Sequence, residues 1–487
     1  MKKIIFVIAF FFFAISHAQE DKTKVYKKRV LETTEVDFLS SYYSQDGENA
    51  SVTGGIGNEH LTDFASSITI SLPLNADDVL TIDAGFSAYT SASSSNGNPF
   101  DTTGASGNGY DDDDDDDDDE YDDKRKYNAQ DPIIGSPWVA SSGASKSDVW
   151  STVTADYSHS SDDRNFNWNS NVSFSAEYDY ISFGFGGGVL KQFNEKNTTI
   201  GLSGNAFFDT WNPVYPTELK SFKQVNGNLN QGFFTGVTIL DQNGNASSGW
   251  NPLNNFQLIN DKSRNSYSAS LSFSQILSKN AQFSLFIDFV KQQGWLGNPL
   301  QRVYFRDVSN YFIGNANSIN NYTSLGNSDV FQLADDIERL PNSRVKIPFG
   351  MRFNYYINEI FVVRTYYRYY SDDWGVQSHT ANIEVPIKIS DKFTLYPSYR
   401  YYTQTAADYF APYEQHLSTE KYYTSDFDLS QFNSNQFGFG FSYTDIFAKS
   451  HVWKLGLKSI DLKYYNYKRN TSFNSSILNV GFKFVMD

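Results

Sequence analysis

Cysteine is absent from all 487 residues. That one absence excludes a disulfide framework, a lipid-modified cysteine anchor, thiolate metal ligands and thiol redox chemistry. Also missing is any apolar run of the ~20 residues that a membrane-spanning helix needs. The longest run, Ile4–Ile15, follows Lys2-Lys3 and precedes Ser16-His17-Ala18. That is the layout of a secretory signal peptide. Residues 1–18 therefore read as an export signal and 19–32 as a short periplasmic lead-in. No basic stripe stands anywhere in the chain, so nucleic-acid binding has no support. The net charge of −17 is misleading, because Asp111–Asp123 holds twelve acids and no bases; without them the balance is −5.

Aromatic residues are plentiful, at 17% with 33 Tyr and 41 Phe, yet the mean hydropathy is −0.48. The arrangement of the apolar residues reconciles the two. Val345, Ile347, Phe349, Met351, Phe353, Tyr355 and Ile357 alternate with Lys346, Pro348, Gly350, Arg352, Asn354 and Tyr356. The same period of two returns over 360–371, 376–389 and 392–404, with tight polar turns between. One face of each strand is apolar and the other charged. Long aromatic-rimmed strands of this kind point to a transmembrane antiparallel up-and-down β-barrel, with lipid against the apolar faces and the charged faces in the lumen.

The same test along the chain finds sixteen strands within residues 33–487. Fourteen to eighteen remain open, because 445–475 is poorly phased. Short links fall between strands 2–3, 4–5, 6–7, 8–9, 10–11 and 12–13, and long links, including an acidic loop at 92–146 expected to be disordered, fall at the other end. Short periplasmic turns and long extracellular loops are the pattern of an outer-membrane barrel. The terminal strand, with Leu478, Val480, Phe482 and Phe484 alternating with polar residues and glycine, is of the kind that barrel-assembly machinery reads.

The inward phase places a basic wall at Lys346, Arg352, Arg364, Arg368, Lys388 and Arg400, with Glu384 the main acid. It places an acidic wall at Asp83, Asp156, Glu177, Asp209 and Asp288. Facing walls of opposite sign impose a transverse field that favours polar solutes in a pore. Alternatively the walls meet and neutralise each other as ion pairs. Sixteen strands leave a lumen wide enough to be open or loop-plugged. The runs Phe183–Gly188 and Phe437–Phe441 put glycines on the lumen face.

Three His–acid neighbours stand out: His60 with Asp63, His159 with Asp162 and Asp163, and His379 with Asp372 and Asp373. The topology separates them, and surface polarity at strand ends accounts for each. No Ser-His-Asp constellation, phosphate loop or metal-ligand spacing is present, so no catalytic residue is assigned. The run through Asp111, Asp113, Asp115, Asp117, Asp119 and Glu120 offers carboxylates for weak Ca²⁺ binding, but lacks the ordered spacing of a calcium loop. A solvated spacer accounts for it equally. Asp241–Asn245 lacks the closing glutamate of such a loop.

Three stretches carry a resemblance to a known family. They are Ser158–Arg164, Tyr370–Gly375 with Ser378–Thr380, and Arg400–Phe410. The chain resembles the outer-membrane barrels of family DUF3570, found in Bacteroidetes and some Proteobacteria. The resemblance implies a barrel and a setting beside a small lipoprotein, a thioredoxin-like protein and a flavin-attaching transferase. A periplasmic redox or flavinylation partner is thus implied, while no catalytic residue is carried over. Three functions stay open: a porin-like or gated conduit for polar solutes or ions, a closed scaffold for such a partner, and cation capture at the surface. If capture is the role, deleting Asp111–Asp123 will abolish calcium binding in equilibrium dialysis and leave the barrel's heat-modifiable migration unchanged.

Overall fold

The computed structural model describes residues 29–90, 147–253, 256–324, 327, 329–445 and 447–486. The acidic run and the export segment lie outside the described residues. Sixteen antiparallel strands close into one ring. In chain order they are β1 Glu35–Gly47, β2 Leu61–Pro73, β3 Asp78–Thr90, β4 Ser147–Ser160, β5 Phe166–Ala176, β6 Tyr180–Phe193, β7 Thr198–Trp211 and β8 Lys262–Ser278. They continue as β9 Ala281–Gly294, β10 Ser343–Lys346 with Phe349–Tyr356, β11 Val362–Ser371, β12 Gln377–Glu384 with Ile387–Lys388, and β13 Phe393–Gln404. The last three are β14 Phe432–Thr444, β15 Leu455–Arg469 and β16 Phe473–Met486. β16 pairs with β1 from Val485↔Glu35 to Phe473↔Gly47, which closes the ring.

The alternation places every strand within a few residues of its position. Two departures have one cause. The stretches read as continuous at 343–357 and 376–389 are each broken at a proline, Pro348 and Pro386, which has no N–H to give to a ladder. Their carbonyls still accept, from Asp288 N and Val362 N. The poorly phased 445–475 region contains a small hairpin, in which His451–Val452 folds back on Leu455-Gly456.

Burial is inverted relative to a soluble sheet. Phe64, Phe86, Val153, Phe183, Phe185 and Phe439 point outward and stay exposed, whereas the described hydrophobic clusters lie in the loops. An apolar band around a closed ring is covered only by lipid. At the short-turn end Arg164, at φ 57°, ties two turns together. Its guanidinium donates to Asp77 Oδ1 at 2.6 Å and Ala76 O at 2.9 Å. His159 Nδ1 lies 2.6 Å from Asp78 Oδ1, not against the expected Asp162 and Asp163. Asp163 instead accepts from Ser161 Oγ and Asn165 N within its own turn.

The opposite end is covered. Loops 48–60, 212–261, 295–342 and 405–431 build a cap around Leu219, Phe234, Trp250, Phe256, Ile313 and Leu333. Glu218, on the short helix Thr217–Gln224, accepts from Arg302 Nε at 2.7 Å and Nη2 at 3.2 Å, and both side chains are buried. Arg302 Nη1 also donates to Val52 O at 2.8 Å. The β1–β2 and β9–β10 links stand eight strands apart in the ring of sixteen, so this bond spans the mouth. Gly54, at φ 81°, lies under the Tyr304 ring, where a Cβ would come within 2.6 Å. Loops therefore plug the mouth.

Removing one partner of a buried ion pair strands the other charge, at a cost of about 3–5 kcal/mol. Arg302→Met is thus expected to expose the loops 212–261 and 295–342 to limited proteolysis while the strands resist. Arg302→Met with Glu218→Leu should recover most of the protection.

Candidate functional site

The lumen beneath the cap is open and polar. Leu39 faces inward and is still 49% exposed, and the inward Arg364 side chain is 50% exposed. Register fixes which predicted wall residues line it. Lys346, Arg352, Arg364, Arg368 and Arg400 share the inward phase of β10, β11 and β13, opposite to lipid-facing Met351, Thr365 and Tyr399. Asp83, Asp156, Asp209 and Asp288 share the inward phase of β3, β4, β7 and β9.

One expected member leaves the walls. Glu177 falls in the three-residue turn between β5 and β6 at the loop end, where Glu177 N and Tyr180 O close the turn. It lies just past its strand's regular pairing, where the period of two no longer fixes a face. Lys388 keeps the inward phase, in register with Thr394, but sits at the turn end, 2.8 Å from Asp391 in the adjoining turn.

The walls do not meet. Asp83 accepts from Thr69 Oγ1 at 2.5 Å, Asp156 from Asn169 at 2.7 Å and Asp209 from the Tyr180 hydroxyl. Arg364 pairs with Glu384 on its own wall at 2.9 Å. The segregation runs further than sequence reasoning found. Glu35, Asp37 and Asp63 extend the acidic side, and Lys463, Arg469 and Lys483 extend the basic side. Beside the seam the two sides meet, where Lys483 lies 2.6 Å from Glu35. The odd phase of β1, β2, β15 and β16 carried that signal. The segregation has exceptions: Asp461 shares the inward phase of Lys463, and Lys262 and Arg264 are cations among acids, Arg264 stacked 5.5 Å from the Trp211 ring.

The family-like motifs are spent on the rim. Asp372 accepts from Arg344 Nε at 2.9 Å, the Tyr370 hydroxyl at 2.6 Å, and the N–H groups of Trp374 and Val376 at 3.0 Å. Arg344 also stacks 4.3 Å from the Trp374 ring. Gln404 Nε2 donates to Asp428 O and Ser430 O and holds the last cap loop down. His379 faces outward and meets the Tyr367 hydroxyl at 2.7 Å, away from Asp372 and Asp373. Asp63 accepts from Ser87 and not from His60.

Buried carboxyls knit the cap. Burial, reinforced by Asp426, raises Glu338 to about 8 although Asn298 N donates to it at 2.5 Å. Burial, with Glu414 and Asp336 adding to it, raises Asp335 to about 7. Burial beside Asp428 raises Asp426 to about 6, and burial raises Glu59 to about 7. A cavity of about 450 Å³ opens beside Glu338 and Arg339, walled by Trp295, Leu340, Tyr422 and Tyr423. Among the described residues no group of three His, Cys, Asp or Glu could hold a metal ion.

Among solved structures the chain is similar to a bacterial polysaccharide outer-membrane secretin. The two are 9% identical over 93% of this chain and 99% of that one, with a TM-score of 0.40. It is also similar to the Pseudomonas putida toluene transporter TodX, at 10% identity over 94% and 90% with a TM-score of 0.35. A BenF-like porin from Pseudomonas fluorescens is 9% identical over 93% and 98%, with a TM-score of 0.36. No curated protein matches. The family described as "Protein of unknown function (DUF3570)" matches residues 4–475, nearly the whole chain, in keeping with the rim motifs. The chain, a closed sixteen-stranded β-barrel, belongs to the DUF3570 family.

Proposed function

We propose that this barrel is a gated, non-enzymatic conduit for small polar solutes or ions, seated in the outer membrane after export. The observation that carries the reading is a polar lumen of segregated charge, open beneath a cap that has its own core. A strand ring is rigid, whereas loops that pack only on one another can separate from it. Entry from outside then requires the cap to part, and the transverse field in the lumen orients whatever polar solute follows.

The cap carboxyls set the direction of a pH effect. Their folded-state values are raised, so the folded cap holds more protons than its separated loops do. That stabilisation is complete below the ordinary carboxyl range near pH 4 and is lost as pH rises through 6 to 8. In planar bilayers, open probability is expected to rise at least about tenfold between pH 5 and pH 8.5. Glu338→Gln should flatten that rise. Charge reversal at Arg364 and Arg368 should alter the single-channel conductance itself.

A second reading has one observation in its favour. Phe447 and Trp453, 80% and 85% exposed, project from the hairpin at the short-turn end. A cap that never opens, with a periplasmic lipoprotein or electron-transfer partner docked on that hairpin, makes the barrel a scaffold. Bilayers silent at every pH, together with a stoichiometric partner lost in Phe447→Ser and Trp453→Ser, would establish that reading in place of the conduit.

A further inference from the structure

Arg344, Lys458, Lys483, Arg364 and Arg469 each hold a carboxylate within 2.9 Å. Lys346, Lys463, Arg264, Arg352, Arg368 and Arg400 hold none among the described residues. Arg368 is half-buried, and Arg352 and Arg400 open onto the lumen. Half-enclosed charge without a counter-ion is costly, so proteins normally pair it.

Arg352, Arg368 and Arg400 share one stretch of wall, on β10, β11 and β13, with Arg352 and Arg400 three strands apart. Register runs Arg352↔Tyr366↔Asn382↔Arg400↔Gln436 across β10 to β14. The adjoining row runs Gly350↔Arg368↔Thr380↔Tyr402. Arg352 and Arg368 are thus diagonal neighbours, about 7–8 Å apart at the backbone. Arg400 stands two strands past Tyr366, about 10 Å along a wall that curves toward them.

Their surroundings hold them in place without neutralising them. Phe286 and Tyr366 stack at 5.9 Å and 15°, and the Arg352 guanidinium lies 5.8 and 5.6 Å from the two rings. Gly350 makes that possible, because a Cβ there would strike the Phe286 ring. The Arg368 guanidinium lies 5.9 Å from the Tyr370 ring, and its buried Nε has no hydrogen-bond partner. The nearby acids are engaged, Asp372 by Arg344 and Glu384 by Arg364. Asp288 alone remains on that side, one charge against three.

We infer that Arg352, Arg368 and Arg400 form an oxyanion subsite inside the lumen, for solutes bearing a carboxylate or phosphate group. A guanidinium presents paired N–H donors that match the oxygens of either group. Asn382 and Thr380, on β12 between Arg368 and Arg400, and Gln436, just past Arg400 on β14, supply neutral donors for a polar body behind the anion. The inference rests on the conduit reading for its biological meaning, but not for its measurement.

Titration calorimetry of the purified full-length barrel in detergent at low salt tests it, with citrate and inorganic phosphate as separate probes. Saturable binding of citrate alone assigns carboxylate solutes, of phosphate alone phosphate esters, and of both the shared chemistry. Replacing all three arginines with Gln is expected to weaken binding by at least about tenfold. Arg400→Gln alone, at an exposed side chain with no packing role, should weaken it several-fold without touching the fold. Lys279→Gln, which removes a cation from a turn outside the lumen, should leave it unchanged. Absence of binding to the wild type, or equal binding by the Arg400→Gln and triple variants, overturns the subsite. Binding without bilayer current defeats the conduit and keeps the subsite; current without binding does the reverse.

Discussion

Lipid offers no hydrogen bonds, so every peptide group inside it must find a partner within the chain. For strands the only arrangement that leaves no edge is a closed ring. The pairing of β1 with β16 is therefore the constraint on which the molecule depends. Closure forces alternate side chains to opposite faces, and the alternation then sorts the composition: phenylalanine and valine to the lipid, serine, asparagine and charge to the lumen. The ladder breaks at Pro348 in β10 and at Pro386 in β12, whereas Pro397 sits within β13 opposite Phe439.

Once the ring is closed, its two ends have different tasks. The short turns are set by local polar contacts, such as Arg164 on Asp77. The loop end instead builds a small globular body, with aromatic packing and a fully buried Arg302–Glu218 pair. Such a pair adds little net stability over an apolar substitute, but it fixes which loop meets which. One protein thus contains two solvents' worth of folding rules, an inside-out ring and an ordinary core seated on its mouth.

The period of two made the ring legible, because its signal repeats along each strand and a slip of one residue would turn every side chain over. Faces of Arg352, Arg368, Asp83 and Asp288 followed directly. Glu177 escaped because turn residues obey local geometry and not the pleat. The cap was illegible for a related reason. Leu219, Trp250 and Leu333 carry no common period, and what unites them is contact among segments as much as 114 residues apart. The partner of His159 was missed likewise: proximity in sequence suggested Asp162, whereas the ladder delivers Asp78 from the preceding strand, β3.

The bond from Arg302 to Val52 joins residues 250 positions apart across the full width of the mouth. Before β16 finds β1, the loops that carry these two residues belong to an open sheet and have no fixed separation. The cap can therefore take its final form only after the ring has shut. A folded cap is then a certificate of completed closure, and a barrel whose ring is still open presents these loops as loose chain to any protease it meets.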